Sequence, residues 1–495
     1  ICKHLRNVID GSIELQLRIT LVIDGWLLAY RGTGPSKDII DYQKRRREHM
    51  EQMNYSDSWT SKSEITGQFE VCDGILAESV DINEERRTFR SVRYQEIVSP
   101  RQKNNPWKKE WEDLGMEITD FSFWAHADLQ MLMEPRDDNT TRRIHFRTIS
   151  TNAIHPEAKS PYLDLYQSDC PVWEKCNTVA FEDRVVFHFT DTQDDVRRAA
   201  GLVLDCFEGV ISMDYMPIAD LAFLSRDEVL LLFNGEDEED KVTLGVYSVP
   251  LKRIVCRCRF PFAYLPYIAF FLTRPESRFG EKCPSSMAKM VMPDPIVNIL
   301  GISFHLKPGD RSYCCVVLSV DAFTRTYQSL LEKYPDREVF DWEEWGPSTT
   351  RWLPYYDINH AGNPNIFGSR MLTWGRANAI DPRSYDDLNL LLLDFNPRPI
   401  RKGAVTTIEE RYHVLVVDQE TLWVDPHGQF TVTSSLPYRA FVTSWLPRHS
   451  YFRFDGSTIM GRGYKEYGFY SFLPLQDDAT DKIDEALEDI NLSAY

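Results

Sequence analysis

Short β-rich runs recur from about residue 59 to residue 474, and this recurrence is the feature that most constrains the fold. Polar segments rich in Gly, Pro and Asp separate the runs, and helical periodicity is scarce between them. This pattern favours an all-β architecture. The clearest runs are residues 185–189, 202–206, 229–233, 244–249, 314–320, 390–395, 414–417 and 469–472.

The length of this region requires repetition or several domains, because a β-sandwich holds only about 100 residues. Weak internal similarity favours repetition: residues 123–132 resemble residues 223–232, and each is followed by a polar loop and a second strand, 144–149 and 242–249. Four-stranded units of about forty to fifty residues are typical of propeller blades. We therefore predict a mainly β chain with a β-propeller-like domain of about six to eight irregular blades, whose ring closes near 469–472.

Two short apolar helices are predicted before the β region. Leu5, Val8 and Ile9 follow one another at spacings of three and four, which is typical of one helical stripe, and residues 10–12 interrupt it. A second helix, 13–28, is apolar on two sides. One side carries Ile13, Leu17, Leu21 and Leu28, and the other carries Leu15, Ile19, Val22 and Trp26. A helix that is apolar nearly all round must be covered on more than one face, by the rest of the chain or by another protein.

Two further helices are predicted outside the β region. One spans about 37–53, with Ser36 as a plausible N-cap and Asp38 in its first turn. Its basic run, 44–47, is interpreted as the solvated face of a connecting helix rather than as a nuclear or nucleic-acid signal. The other is a short amphipathic helix in the acidic tail, 477–492, which either docks on its own domain or remains free for a partner. The expected divisions are 1–30, 31–58, 59–474 and 475–495.

Composition argues against several classes of function. The 56 basic and 75 acidic residues give a net charge of −19, which opposes binding to nucleic-acid phosphates. No run of eighteen apolar residues suggests a membrane span, and no signal peptide is recognisable. The ten cysteines form no Cys-x-x-Cys pair, and Cys256 and Cys258 lack the second pair that zinc needs. Free thiols in a reducing compartment are expected, with a bridge or metal at Cys170 and Cys176 as the alternative.

Catalytic motifs are missing from the sequence. It contains no Gly-x-Ser-x-Gly elbow, no His-Glu-x-x-His and no P-loop, and the eleven histidines are scattered. We therefore expect a non-catalytic protein without cofactor or metal. Carboxylates are abundant, so a propeller glycosidase with two converging acids stays as a further alternative.

The N-terminus carries a family resemblance. The run Cys2-Lys3-x-Leu5-Arg6-x-x-Ile9, followed by residues 12–16, resembles the C-terminal half of the F-box in the large set of F-box proteins of mushroom-forming fungi, the basidiomycetes. Further matches follow in the same order along the chain, at 32–35, 44–47, 434–439, 457–461 and 469–472. The first half of an F-box is missing and the chain begins at Ile1, so we expect the natural N-terminus to lie upstream.

The resemblance implies a division of labour. The helical remnant would bind the Skp-type adaptor of a cullin-based ubiquitin ligase, and the β domain would hold an unknown protein substrate. Such a subunit is not catalytic, since it only raises the effective concentration of a substrate lysine near a ubiquitin-loaded enzyme. It implies a cytoplasmic or nuclear protein with no nucleic-acid or membrane partner. The implied adaptor-binding residues are Cys2, Leu5, Arg6, Ile9, Leu15, Leu17 and Ile19.

A long aromatic insertion, 333–380, supplies candidates for substrate binding. Trp342, Trp345, Trp352 and Tyr355 would form a substrate-facing wall. The alternative is that these aromatics pack the insertion against a blade. The competing functional class is a binding or scaffold propeller without a ligase role, in which residues 1–28 only cap the β domain.

Overall fold

The computed structural model shows how the repeated strands are arranged. It describes residues 2–28, 36–62, 68–72, 74–83, 85, 88–101, 106–136, 141–166, 175–181, 184–191, 198–205, 207–233, 242–261, 268–271, 291–305, 313–353, 365–376, 388–401, 414–424, 431–442, 451–462 and 466–473. The predicted loop 32–35 and the tail 475–495 lie outside these ranges.

The N-terminal part is helical. It consists of α1 (Lys3–Asp10), α2 (Ile13–Asp24), β1 (Trp26–Leu28) and α3 (Ser36–Glu51). The described residues of this part, 2–28 and 36–53, are called the helical cap below. The strand β2 (Asp57–Lys62) follows the helical cap and is the first strand of the ring.

Seven antiparallel sheets follow as the blades of a β-propeller. Blade 1 contains β3 (Phe69–Cys72), β4 (Ile75–Val80), β5 (Ser91–Glu96) and β6 (Lys108–Trp111). Blade 2 contains β7 (Asp120–Trp124), β8 (Leu129–Pro135), β9 (Thr141–Thr148) and β10 (Tyr162–Tyr166). Blade 3 contains β11 (Lys175–Phe181), β12 (Arg184–Asp191), β13 (Arg198–Asp205) and β14 (Val210–Pro217).

The next two blades are enlarged. Blade 4 contains β15 (Asp220–Ser225), β16 (Glu228–Phe233), β17 (Thr243–Ser248) and β18 (Arg253–Arg259). Blade 5 contains β19 (Ile268–Phe271), β21 (Ile299–His305), β22 (Tyr313–Ser319) and β24 (Thr350–Leu353), and β20 (Val291–Pro293) pairs with β1. An insertion before β24 carries α4 (Val320–Lys333), β23 (Val339–Phe340) and α5 (Trp342–Thr349). Its strand β23 pairs in parallel with β18, so the insertion adds a fifth strand to blade 4.

The last two blades complete the ring. Blade 6 contains β25 (Asn365–Phe367), β26 (Arg370–Arg376), β27 (Leu388–Asp394), β31 (Tyr438–Val442) and β28 (Val414–Val417), with α6 (Pro397–Arg401) after β27. A separate hairpin consists of β29 (Thr421–Val424) and β30 (Thr431–Ser434). Blade 7 contains β32 (Tyr451–Phe454), β33 (Thr458–Arg462), β34 (Glu466–Ser471) and the N-terminal strand β2.

The two ends of the ring meet in blade 7. β2 pairs with β34 from Asp57↔Ser471 to Lys62↔Glu466. The ring of Trp59 stacks on that of Phe469, with centroids 5.1 Å apart. The predicted closure near 469–472 is therefore confirmed.

Alternation along the strands explains why the blades need one another. Successive side chains of a strand point to opposite faces of its sheet. In β16, Val229 and Leu231 are buried against blade 3, whereas Leu230 and Leu232 are buried against blade 5. Each of the seven buried apolar clusters of the described residues lies between neighbouring blades in the same way. A blade covers its own faces only by packing on both neighbours.

The two helices of the insertion differ from the all-β prediction. The run predicted as a strand over 314–320 ends at Ser319, whose side chain caps α4 by accepting a hydrogen bond from the Ala322 N–H at 3.3 Å. Phe323 and Tyr327 of α4, one turn apart, are buried between blades 4 and 5. The insertion therefore closes the outer edge of these blades.

Candidate interaction surface on the helical cap

The inner face of the helical cap is buried against blades 6 and 7. Leu17 and Leu21 of α2 and Ile39, Ile40 and Met50 of α3 belong to one apolar cluster with side chains of both blades. The blade residues of this cluster are Phe367, Leu372, Leu390, Leu392 and Phe441 in blade 6, and Phe452, Phe454, Ile459 and Phe472 in blade 7. Each fully buried side chain of this size contributes about 1.5–3 kcal/mol, so the cap is a packed part of the propeller.

Arg46 fixes α3 to blade 7. Its Nη2 atom donates to the Gly456 carbonyl at 2.6 Å and to Ser457 Oγ at 2.8 Å, and its guanidinium lies 4.0 Å from the centroid of the Trp26 ring. Burial lowers the pKa of Arg46 to about 10, which still leaves it charged at neutral pH. The interpretation of 44–47 as a solvated face is therefore wrong at Arg46, which is only 3% exposed.

A partly buried ion pair joins the end of α2 to α3. Arg47 Nε lies 2.8 Å from Asp24 Oδ1, and Arg47 Nη2 donates to Asp24 Oδ2 at 2.8 Å. Burial raises the pKa of Asp24, and the charge of Arg47 opposes this effect. The pair holds the two helices in one orientation.

A second ionic group joins α3 to blade 6. Arg439 donates to Glu51 Oε1 at 2.9 Å and to Asp394 Oδ2 at 2.8 Å, and Arg370 Nε lies 3.7 Å from the same Asp394 oxygen. Burial opposes the ionisation of Asp394, but the charges of Arg370 and Arg439 outweigh it and hold the pKa of Asp394 below its usual range. Removing one partner of such a buried group is costly because the other charges are left uncompensated.

The C-terminal end of α2 is capped by the propeller. Asn396 Nδ2 donates to the Ile23 carbonyl at 2.8 Å, and Arg398 Nη1 donates to the Val22 carbonyl at 2.8 Å. Carbonyls in the last turn of a helix lack their full set of partners within it, and these two side chains supply them. The Val22 carbonyl also accepts a hydrogen bond from the Gly25 N–H at 3.2 Å. Gly25 ends the helix at a φ of 76°, a left-handed conformation that favours glycine. An added Cβ there would lie 3.1 Å from Val297 Cγ2.

The opposite side of the cap is apolar and exposed. In α2, Leu15, Ile19 and Val22 are spaced so that they share the helical face opposite Leu17 and Leu21. α1 has no buried residue, and it is tied to α2 by a hydrogen bond of 2.8 Å from Gln16 Nε2 to the Asp10 carbonyl. The term outer face is used below for Leu5, Val8, Leu15, Arg18, Ile19 and Val22, all of which are exposed.

The structure separates the predicted adaptor-binding residues into two groups. Cys2, Leu5, Arg6, Leu15 and Ile19 are exposed, and Ile9 is half-buried. Leu17 is 3% exposed and belongs to the cluster with blades 6 and 7, so its prediction as an adaptor-binding residue is wrong. Sequence alone could not separate Leu17 from Leu15, because both sides of α2 are apolar.

The predicted substrate-facing wall is also wrong for three of its four residues. Trp342, Trp345 and Trp352 are buried between blades 4 and 5. The ring centroids of Trp342 and Trp345 lie 4.9 Å apart. Trp345 Nε1 donates to the Arg259 carbonyl at 3.2 Å, which ties the insertion to blade 4. Packing of the insertion, the alternative reading, is what the structure supports. Tyr355 lies outside the described residues.

Two acidic side chains lie on the inner wall of the ring. The first strands of blades 1 and 2, β3 and β7, contact each other there. Glu70 of β3 accepts a hydrogen bond from Ser122 Oγ of β7 at 3.0 Å. Burial raises the pKa of Glu70 to about 8 and that of Asp120, at the start of β7, to about 7. Burial therefore favours the protonated form of both carboxyl groups.

No metal site or membrane span is found in the part of the chain that the structure describes. No three His, Cys, Asp or Glu side chains group there in a way that could hold a metal ion. Within the same ranges, no helix is both long and apolar enough to cross a bilayer. Cys256, Cys258, Cys314 and Cys315 are buried cysteines that remain thiols. The proposed pair of Cys170 and Cys176 falls outside the described side chains.

Comparison with known proteins shows likeness in structure only. No protein-family model and no curated protein matches the sequence. A crystal structure of a eukaryotic initiation factor is similar at 10% identity and a TM-score of 0.33, covering 77% of this chain and 68% of that chain. The extracellular domains 1 and 2 of Drosophila Semaphorin 1b are similar at 10% identity and a TM-score of 0.34, covering 84% and 86%. At these scores the likeness carries no argument, and the seven-bladed propeller rests on the strand pairing of this chain.

Proposed function

We propose that the chain is the substrate-recognition subunit of a Skp-cullin-F-box ubiquitin ligase. In this proposal the outer face of the helical cap binds a Skp-type adaptor, and the propeller holds a protein substrate. The subunit works in the cytoplasm or nucleus and performs no chemistry itself. It brings a substrate lysine close to the ubiquitin-loaded enzyme, so its contribution is one of position.

The observation that carries the proposal is that α2 is apolar on two sides, of which one is buried and the other is exposed. Its inner side is packed on the propeller, and its outer side presents Leu15, Ile19 and Val22 to solvent at 37%, 37% and 41% exposure. Leu5 and Val8 of α1 are similarly exposed. Apolar side chains exposed together in this way mark an interaction site. Leu5, Val8 and Leu15 also lie within the stretch that resembles the C-terminal half of an F-box.

Rigid attachment suits this function. Arg46, Arg47 and Arg439 fix the cap through buried or partly buried polar contacts to both blades and between its helices. An adaptor bound at the outer face would thus stand in a constant orientation relative to the propeller. The geometry of ubiquitin transfer depends on such an orientation.

Copurification of the full gene product with a Skp-type adaptor tests the proposal. The double variant Leu15→Asp with Ile19→Asp should lower adaptor binding at least tenfold, because two charges then oppose an apolar interface. Leu422→Asp is the matched control, since Leu422 is 64% exposed on β29 of the propeller. Absence of adaptor binding by the unaltered protein would contradict the proposal.

The second candidate is a binding or scaffold propeller without a ligase role. The observation that favours it is the packing of the inner face, since Leu17 and Leu21 bury the cap against blades 6 and 7. In that case the helices serve the propeller alone. An outer-face variant would then leave all partners of the protein bound.

A further inference from the structure

The hairpin of β29 and β30 extends blade 5 beyond its outermost strand, β24. The Trp352 N–H of β24 donates to Ser434 Oγ of β30 at 3.1 Å, and the ring centroids of Trp352 and Trp423 lie 4.9 Å apart. Trp423 and Val432, one from each strand of the hairpin, belong to the apolar cluster between blades 4 and 5. β30 therefore lies between β24 and β29.

Arg351 of β24 fixes the start of β29. Its guanidinium is buried and donates to the Leu436 carbonyl at 2.6 Å, to Thr421 Oγ1 at 2.6 Å and to the Gln419 carbonyl at 3.1 Å. Thr421 is the first residue of β29, and Gln419 lies just before it. The strand is therefore held in one position on the propeller, and a ligand that binds it loses little free energy to ordering it.

The outward face of β29 is apolar. Leu422 is 64% exposed and Val424 is 52% exposed, and as alternate residues of one strand they point to the same side. Among the large apolar side chains that the structure describes, Leu422 is the most exposed. Trp423 between them is buried, so β29 is a packed strand and not a loose end. Neighbouring apolar side chains exposed in this way mark an interaction site.

The edge of β29 differs from the edges of other blades. Among the described strands, β29 pairs with β30 alone, and a strand paired on one side offers backbone N–H and C=O groups on the other. Two other outermost strands protect their edges with polar side chains. Their exposed positions are Ser58, Thr60 and Lys62 in β2, and Lys108 and Glu110 in β6. β29 exposes Leu422 and Val424 instead, which is typical of an edge that receives a further strand.

The charge beside β29 favours a basic partner. Asp418 and Glu420 precede the strand and are exposed. Residues 418–424 contain two acidic residues and no basic one, a net charge of 0 − 2 = −2 on a chain whose total is −19. Lysine and arginine side chains are attracted to such a site, whereas a second copy of this chain brings the same acidic residues and the same net charge. The favoured occupant is therefore a different protein.

We propose that β29 binds an extended segment of a partner protein as an antiparallel strand. The segment carries apolar side chains at alternate positions, which cover Leu422 and Val424. Lysine or arginine residues follow them and lie beside Asp418 and Glu420, because an antiparallel partner runs towards the start of β29. The inference rests on the proposed function in one respect, namely that the partner is the substrate held by the propeller.

Binding of a designed peptide to the full chain tests the proposal. The probe is fluorescein-labelled Ser-Thr-Val-Thr-Val-Thr-Lys-Arg-Lys, and fluorescence anisotropy should give a Kd of about 1–100 μM, since the interface is small. The double variant Leu422→Ser with Val424→Ser should weaken binding about tenfold or more. Leu251→Ser with Ile154→Ser is the matched control, since these residues are 60% and 56% exposed on other blades, and should bind as the unaltered chain does. Equal binding by the two variants, or no binding at about 500 μM, overturns the proposal.

Two further measurements test the orientation and the position of the peptide. The reversed sequence Lys-Arg-Lys-Thr-Val-Thr-Val-Thr-Ser has the same composition but places its charges at the wrong end, so it should bind about fivefold more weakly. Amide hydrogen exchange of residues 421–424 should slow when the first peptide binds, because their backbone becomes paired. Equal binding of the two sequences, or unchanged exchange in β29, contradicts the proposal.

The remaining outcomes separate this inference from its rival and from the proposed function. Dimerisation of the unaltered chain that Leu422→Ser with Val424→Ser abolishes would identify a second copy as the occupant and overturn the proposal. Adaptor binding without peptide binding defeats this inference alone. Peptide binding at β29 without adaptor binding defeats the proposed function alone.

Discussion

The guanidinium of Arg46 lies 4.0 Å from the ring centroid of Trp26, within the helical cap, while it donates to the Gly456 carbonyl of blade 7 at 2.6 Å. One side chain thus packs the cap together and binds it to the ring. Both contacts stabilise the positive charge of the Arg46 guanidinium, since the indole face attracts a cation and the carbonyl accepts a charge-assisted hydrogen bond. This relationship leads to the first prediction.

Arg46→Ala should destabilise the protein by about 2–4 kcal/mol, because it removes these contacts and leaves a buried carbonyl without its donor. The loss is measured as the change in the free energy of unfolding by urea denaturation. Lys44→Ala, at an exposed position on the same helix, is the control and should change stability by less than about 0.5 kcal/mol. Equal stability of the two variants would show that Arg46 does not join the cap to blade 7.

Two leucines of α2 should respond differently to the same substitution. Leu17→Ala creates a cavity in the cluster with blades 6 and 7 and should cost about 2–5 kcal/mol. Leu15→Ala removes an exposed side chain and should cost less than about 1 kcal/mol. Thermal unfolding of the pair measures the difference. A larger loss for Leu15→Ala would mean that α2 presents its other side to the propeller.

The stability of the ring should fall as the pH rises from about 5 to about 8. Burial raises the pKa of Glu70 to about 8, above its ordinary value, so the folded state binds a proton that the unfolded state has released. The stabilisation that comes from this bound proton is therefore present at low pH. It is lost as the pH rises through the pKa that Glu70 has in the folded state. Glu70→Gln stays neutral and should be more stable than the unaltered protein by on the order of 1–3 kcal/mol at pH 8, with no gain at pH 4.

Urea denaturation at a series of pH values between 4 and about 8.5 checks this dependence. Glu112→Gln, at an exposed position near β6, should leave the profile of the unaltered protein unchanged. If the unfolding free energies of Glu70→Gln and of the unaltered protein changed with pH in parallel, Glu70 would ionise normally in the folded protein.

Trp345→Ala should lower the melting temperature, because it removes packing between blades 4 and 5. We do not expect it to remove a binding site. Trp345 is fully buried beside Phe260 and Trp342, and its loss should cost about 3–5 kcal/mol. Tyr334→Ala, at the end of α4, removes a partly exposed ring and should cost much less. Differential scanning calorimetry compares the two variants, and a similar melting temperature for both would restore the prediction of a substrate-facing wall.

The repeated architecture could be predicted because alternation within strands is a local property. Residues 123–132 and 223–232 are similar because both form the first two strands of a blade, β7 with β8 and β15 with β16. The number of blades could not be predicted beyond six to eight. The helices within blade 5 and the strand order of blade 6 make the spacing of the repeats irregular.

The exposed apolar side of the N-terminal helices could be predicted as a region but not residue by residue. Leu15 and Leu17 are alike in sequence, and only the packing of α2 on the ring makes one exposed and the other buried. Arg46 lies in a basic run that suggests solvent, but its partner Gly456 is 410 positions away. Trp342, Trp345 and Trp352 are close in sequence and aromatic, as in a binding wall. Their burial depends on packing between blades 4 and 5, which the local sequence does not reveal.

The pairing of β2 with β34 has a consequence for how the molecule bears load. The ring is closed by the pairing of its first strand, β2, with its last strand, β34, and Phe472, just after β34, packs in the same apolar cluster as α2 and α3. A force applied to the helical cap is therefore transmitted directly to the blade that closes the ring.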